Sequence, residues 1–483
     1  MLMAKHLYSL DDCDNLNISE VKKLYREYVN PSLEGVFSSF SISDELIAHA
    51  EGVWMYAKSG KKILDSTGGI GVLNTGHNHP RILKARIRYQ EMRKMEVHKT
   101  LFSPYLAALS HNIGQLLPDD LRYSYFCNSG AEAVEGALKV AYKFHGGKRK
   151  YVLHSDISFH GKLLGAGSIT RSKEIYFKYQ SVLNSDEFEY NSLESVSRKI
   201  KELRKENGES DVYALIVEPF SASTLRNCSN EFLEAVRELC TREGIILIFD
   251  EVFSGWFKTG KLFYFFNSKA IPDILTTSKS LGGGKSSISA YISRKHVMLG
   301  AYGNLRDATL HNTTYNGFGE ECITALEAIN LMVEENYEGK CLEIEKITVE
   351  RLEKLKGKYP ELIAGYSGSG ALFGIFFKEN AGILGDLLSR LPVSVLKDER
   401  FLPKLVTASF AERLFTEHSI YCLFTNNHYV ALVFSPALVI NAEEVNYFFD
   451  SLDNVLSQGL WKAVFHFAKR KFSATNFSAL RTS

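Results

Sequence analysis

The sequence carries no imbalance of charge and no long hydrophobic run. Its 57 Lys and Arg stand against 56 Asp and Glu, for a formal net charge of +1. That leaves no long-range field to recruit nucleic acid or an anionic membrane surface. No apolar stretch approaches the roughly 18 residues needed to span a bilayer. The opening MLMAKHLYSLDDCDNLN has early acidic residues and no signal-peptide core. The seven cysteines are scattered, with no CxxC pair. Neither a disulfide framework nor a metal site is therefore expected, and a reducing compartment fits best, the cytoplasm by default. Repeats and low-complexity tracts are missing too. What is present is 483 residues, 45% hydrophobic and 23% charged. Those values sit near the globular averages, and the length calls for two or more cores.

Four stretches follow from the pattern. Residues 1–65 read as a helical arm, Ile18 to Val29, stopped near Asn30-Pro31, and then a hairpin in which Val53 to Tyr56 and Ile63-Leu64 flank Ser59-Gly60. Residues 66–325 alternate short β runs with helices: Tyr123 to Cys127, Tyr151 to His154, Ala214 to Val217, Ile245 to Phe249, Ile274-Leu275 and Ala290 to Ile292. That alternation predicts a large α/β domain with a mainly parallel sheet covered on both faces. Residues 326–458 open with helical patterns and continue with strand candidates at 372–377 and 429–434, then a helix from Ala442, an α+β domain. The tail, 459–483, is apolar and basic; it reads first as a helix docked on the body and second as a membrane-surface or partner helix.

Three stretches carry chemistry. NSGAEAVEGALK (128–139) follows a β run and opens a helix, whose exposed N–H groups and dipole suit an anion; Ser129 adds a hydroxyl. Taken alone it is also an ordinary capped helix. IILIFDEVFSGW (245–256) ends in Asp250-Glu251, at the end of a parallel strand where ligand crevices lie. Such a pair could hold a metal, act as acid and base, or face a cationic ring nitrogen; no third carboxylate lies near it for magnesium. In PDILTTSKSLGGGKSS (272–287), Lys279 follows a strand and precedes a glycine run. A desolvated lysine there is partly unprotonated, as imine formation requires. The GGGK piece lacks the spacing of a phosphate loop. Together the three supply a phosphate cradle, an anion for a ring nitrogen and an amine for an aldehyde.

These stretches, with GVLNTGHNHP (71–80), SFHGKLLGA (158–166), IVEP (216–219), KTGKLF (258–263) and HNTTYNG (311–317), make the chain resemble the class III aminotransferases. These are fold-type I enzymes that depend on pyridoxal 5′-phosphate (PLP), and the similarity is nearest to the putrescine and ornithine group. The resemblance implies a seven-stranded large-domain sheet, a smaller α+β domain and transfer of an amino group between an amine donor and a carbonyl acceptor. It implies that Ser129, Gly130 and Ala131 hold the phosphate, and that Phe159 stacks on the ring with His160 and Glu218 beside it. Asp250 would face the pyridine nitrogen, Val252 the opposite ring face, and Lys279 would carry the cofactor as a Schiff base. Thr314 would reach the phosphate of a neighbouring subunit, which implies a homodimer with shared active sites. His77 and His79 read as turn and packing residues.

Three departures from the family pattern bear on substrate. Phe253 stands where the family usually has a glutamine that bonds the cofactor's phenolic oxygen. FSASTLRN (220–227) replaces a glycine-rich stretch. Val433 aligns with an arginine that binds the substrate α-carboxylate. Valine offers no bidentate contact, so either another cation, Arg226 being the candidate, takes over, or the donor is a terminal amine or diamine in an apolar pocket of Leu432, Phe434 and Phe253. An aminomutase or decarboxylase on the same scaffold is the second reading and a non-catalytic partner protein the third.

Overall fold

The computed structural model describes residues 7–171, 181–378, 400–425, 428–465 and 467. The arm is helical over Ile18–Leu24 and continues as a π-helical turn, Tyr25–Val29. Asn30 ends it and at once caps the next helix, Pro31–Phe37, by accepting from the Ser32 and Leu33 N–H groups. Strands β1 (Ile47–Glu51), β2 (Trp54–Ala57) and β3 (Lys62–Asp65) follow as an antiparallel meander.

The large sheet holds β4 (Leu121–Cys127), β5 (Tyr151–Ser155), β6 (Ser185–Phe188), β7 (Val212–Val217), β10 (Ile246–Asp250), β11 (Ile274–Thr277) and β12 (Ser289–Arg294). Their order is β4-β12-β11-β10-β7-β5-β6, parallel except that β12 runs antiparallel to both neighbours. Between β7 and β10 a two-stranded hairpin forms from β8 (Phe220–Ser221) and β9 (Arg226–Asn227).

Both faces of this sheet are buried, as uniformly apolar strands demand. Ile246 and Ile248 pack with Val134, Leu138 and Ala141 of the helix Gly130–Phe144, whereas Leu247 and Phe249 enter the main core with Val217 and Leu275. β6 is the one strand of this sheet that the hydrophobic pattern does not show, because SDEF is polar and lies at the sheet edge.

A second antiparallel sheet is built from β13 (Ile363–Ser369), β14 (Leu372–Phe377), β16 (Leu423–Phe424) and β17 (Leu432–Phe434), in the order β13-β14-β17-β16. Helices Tyr337–Lys358, Phe401–His418 and Ala442–Ser457 accompany it. The short β15 (Ile420–Tyr421) pairs with β3, joining the N-terminal strands to this part of the chain.

In the tail, residues 460–465 and 467 are helical, with Leu460, Ala463, Val464 and Phe467 buried. That face is docked on the body; the rest of the tail lies outside the described residues. No described helix is long and apolar enough to cross a membrane.

Candidate active site

The carboxyl ends of β7, β10 and β11 deliver three ionisable groups to one cleft. β10 ends at Asp250, whose Oδ1 accepts from the Thr276 hydroxyl at 3.0 Å and the Val252 N–H at 3.1 Å. Oδ2 lies 2.7 Å from Nδ1 of the fully enclosed His160. A carboxylate only accepts, so with Asp250 ionised the proton of this pair sits on Nδ1. His160 Nε2 is buried and has no partner among the described residues.

The neighbouring Glu251 turns away from the cleft. It accepts from the Tyr264 and Phe265 N–H groups at 2.6 and 2.8 Å and from Ser254 Oγ at 2.9 Å. Burial pushes its carboxyl up to about 7. The acidic pair is thereby divided: one carboxylate faces the cleft and the other closes a turn. Among the described residues no three His, Cys, Asp or Glu side chains gather as a metal site.

β11 runs into Lys279, a non-glycine residue at φ +49. Its side chain is partly open to the cleft and otherwise enclosed by protein. Desolvation lowers its ammonium to about 8, against the opposing pull of Asp250 and Glu218. Glu218, just past β7, accepts from the Phe159 N–H at 2.8 Å. Burial first, and the nearby Asp250 second, push its carboxyl well above the usual range.

The fourth element is the N-terminus of the helix Gly130–Phe144. Ser129 accepts from the Glu132 N–H at 3.3 Å and donates to Glu132 Oε2 at 3.0 Å, and that carboxylate also accepts from the Asn128 N–H. The Ser129 hydroxyl is thus engaged in capping its own helix. The Gly130 and Ala131 N–H groups are among those a helix start leaves without intrahelical acceptors, and both residues line the cleft. Glycine is required here: a Cβ on Gly130 would stand 2.7 Å from Val252 Cγ1, and one on Gly161 would stand 2.6 Å from the Ala131 Cβ.

The cleft measures about 510 Å³ and is lined by Ser129, Gly130, Ala131, Phe159, His160, Glu218, Asp250, Val252 and Lys279. Of the residues singled out in the sequence for the cofactor site, Thr314 is the exception; it is exposed, in the loop before the helix Gly319–Glu334. The sequence reading missed Ile70, Val72, Ala222, Ser223 and Ser286 to Ile288, which also line the cleft. The glycine cluster at 68, 69 and 71 was the available signal for the first two, since all three adopt positive φ in one tight turn.

The donor set fits PLP: free N–H groups at a helix start for a phosphate, a buried carboxylate for a ring nitrogen, a phenyl ring beside it and a desolvated amine for the aldehyde.

The substrate side departs from the sequence expectation in part. Phe253 does line the cleft, its ring 4.5 Å from Lys279 Nζ. Val433 is half-buried and packs against the cluster of Phe220, Leu225 and Tyr264, as Phe253 also does. Leu432 and Phe434, expected to line the pocket, belong to the main core instead. Alternate residues of a strand face opposite ways, so Val433 cannot share a face with either. Arg226 places its guanidinium over the Tyr429 ring, 4.5 Å from its centre, and is exposed on β9. It is not part of the cleft lining.

Known proteins share this architecture. The ornithine aminotransferase of Toxoplasma gondii ME49 superposes with a TM-score of 0.76 at 21% identity, over 93% of this chain and 97% of that one. An (S)-enantioselective omega-transaminase from Thermomicrobium roseum gives 0.77 at 20% identity, over 92% and 99%. A transaminase from the marine bacterium Virgibacillus gives 0.74 at 21%, over 86% and 94%. At such identities the likeness establishes the fold, that of the fold-type I transferases. The family itself is established by the sequence, since residues 41–456 match the model of aminotransferase class-III. The chain therefore belongs to the class-III aminotransferases, enzymes that work with PLP.

Proposed function

We propose that this enzyme takes its amino group from a terminal amine or diamine that presents no α-carboxylate to the Phe253 side of the cleft, and passes it to an aldehyde or ketone. One observation carries this reading. Among the described residues lining the cleft, Lys279 is the only lysine or arginine, and the wall beside it is Phe253, which packs against the same apolar cluster as Val433. A carboxylate brought there would lose its hydration without a bidentate partner.

When bound, PLP supplies an aldehyde for the donor amine and a cationic ring that accepts electrons. The residues act around it. Asp250, fixed by His160, Thr276 and the Val252 N–H, keeps an anion at the ring nitrogen. Gly130 and Ala131 N–H groups hold the phosphate, with Ser129 keeping the helix start in shape. Phe159 and Val252, both in the cleft lining, would hold the ring, and Glu218 fixes the backbone of Phe159. Lys279 Nζ would hold the cofactor's aldehyde and would serve as the proton-moving base, a role suited to an amine lowered to about 8.

We also infer a homodimer in which Thr314 serves the neighbouring subunit's phosphate. Thr314 is exposed beside Leu310 and Tyr315, and Leu101, Phe102 and Leu305 are exposed as well. The Lys99 ammonium bonds to Asn312 Oδ1 and the Thr313 carbonyl, tying the two segments together. Large exposed apolar side chains on both of these segments support the reading.

A panel of donors tests the function. Burying each added CH₂ is worth about 0.8 kcal/mol, so kcat/KM should rise about three- to fourfold per methylene along a series of alkylamines and diamines until the pocket fills. Glutamate, ornithine and alanine should be poorer donors. If α-amino acids win and chain length has no effect, the proposal is wrong. Without acceptor, an aminotransferase stops after one turnover, whereas an aminomutase would keep converting its substrate to the isomeric amine and a decarboxylase would keep releasing CO₂, so product analysis in an acceptor-free reaction separates them.

A further inference from the structure

Lys258 is fully buried, yet it lies outside the cleft and no carboxylate among the described residues comes within ion-pair distance of it. Its Nζ donates instead to two main-chain carbonyls, Ser435 at 3.1 Å and Pro436 at 2.6 Å. A cation taken so far out of water is costly unless its donors are satisfied, and a simple core would use an apolar side chain.

The backbone leading to it is strained. Trp256 and Phe257, both bulky, stand at φ +60 and +69, a region such residues adopt only when the surroundings impose it. The Trp256 N–H donates to the Leu262 carbonyl at 2.6 Å and the Trp256 carbonyl accepts from Asn74 at 2.7 Å; beyond them the Lys258 carbonyl accepts from the Ala371 N–H and the Thr259 carbonyl from Ser369 Oγ, each at 3.0 Å.

The carbonyls that Lys258 grips directly follow β17, the strand that carries Val433 against the cluster of Phe220, Leu225 and Tyr264. The same segment is bonded from its other side. Ser435 N–H donates to the Ser66 carbonyl at 2.8 Å and Leu438 N–H to the Asn74 carbonyl at 2.9 Å. The loop so held supplies Ile70 and Val72 to the cleft. Ser280, next to Lys279, donates to the Gly71 carbonyl at 2.8 Å. A continuous set of bonds therefore runs from Lys258 through 435–438 and the 66–74 loop to the residue beside Lys279.

We propose that Lys258 is a positioning residue for donor binding: by gripping the Ser435 and Pro436 carbonyls it holds the 66–74 loop in register, and so fixes the apolar wall of Ile70 and Phe253 against which the amine lies; a Cβ on Gly71 of that loop would stand 2.8 Å from the Phe253 ring. The inference rests on the reading of that wall as the donor subsite. Lys258 touches no reacting atom; its effect is carried by the chain it holds.

The test uses the holoenzyme with whichever donor it prefers, comparing Lys258→Met and Lys258→Arg with the parent. Lys258→Met should raise the donor KM about five- to tenfold with kcat within about threefold, and Lys258→Arg, which keeps the donors, should recover most of the loss. The visible cofactor band should be unchanged in both. Gly68→Ala is a separate lever on the same segment, because a Cβ there would stand 2.7 Å from the Ser435 carbonyl oxygen. It should raise the same KM without touching Lys258, and it stands in if Lys258→Met does not fold.

A donor KM at the parental value in folded Lys258→Met, or in Gly68→Ala, overturns the inference, whatever the melting temperature does. So does a loss confined to kcat. If the parent shows no dependence on donor chain length, the terminal-amine reading falls while the KM comparison still judges Lys258.

Discussion

At Lys279 the fold holds a lysine in the left-handed region, φ +49, directly after a buried strand and within reach of Asp250 and Glu218. Burial disfavours the ammonium and the two carboxyl groups favour it; burial wins, and the group titrates at about 8. The sign of the consequence is set by which form reacts. Below that pH the amine is protonated and inert, and above it the lone pair is free. Cofactor-free enzyme mixed with PLP should therefore form its visible band at a rate that rises with pH to a midpoint near 8, where an ordinary lysine gives about 10.4. Replacing Asp250 with Asn removes an opposing charge and should move the midpoint lower. A rate still climbing steeply through pH 10 would contradict the account. Lys258 shows the limit of reading single residues. Its ammonium is likewise lowered to about 8 by burial, but nothing in KTGKLF separates it from a surface lysine, because its burial comes from carbonyls at 435 and 436. Lys279 was legible because strand, glycine run and Asp250 all pointed to it.

At the scale of elements, the strands and helices that build the cleft were readable from periodicity, since buried parallel strands are uniformly apolar and the helix Gly130–Phe144 keeps Val134, Leu138 and Ala141 on one face. The orientation of β17 was not. Leu432, Val433 and Phe434 are all apolar, and only pairing with β14 decides that Val433 faces the cluster of Phe220, Leu225 and Tyr264 while its neighbours enter the core. The hairpin of β8 and β9 has the same character: FSASTLRN gives turn residues but not the direction of Arg226, which stacks on Tyr429, and no arginine is among the described residues that line the cleft. The start of the Gly130–Phe144 helix offers a quantitative test. Gly130→Ala would press its methyl against Val252, at a separation of 2.7 Å, so the affinity for PLP should fall about tenfold or more, roughly 1.4 kcal/mol. Gly35→Ala, where nothing lies within 4 Å of the added carbon, is the control and should bind PLP normally. Equal affinities in both variants, measured by equilibrium dialysis, would remove the helix start from the phosphate site.

At the scale of the whole molecule, the site draws on segments from Ile70 to Ile288 that meet at the carboxyl ends of the central strands β11, β10 and β7. Thr314 stands outside that site and exposed, which suits service to a second copy of the chain. Mixing inactive Lys279→Ala with inactive Thr314→Ala subunits tests sharing: a heterodimer then has one site with both lesions and one with neither. Statistical mixing should restore about a quarter of parental activity; heterodimers that form and stay inactive would show each subunit to be self-contained. The central claim, that the cleft of the intact enzyme carries PLP on Lys279, is tested most directly by borohydride reduction of the holoenzyme followed by peptide mass spectrometry. The account predicts that the visible band disappears and a single pyridoxyl adduct maps to Lys279. An adduct on Lys285 or Lys258, or no adduct at all, would contradict it.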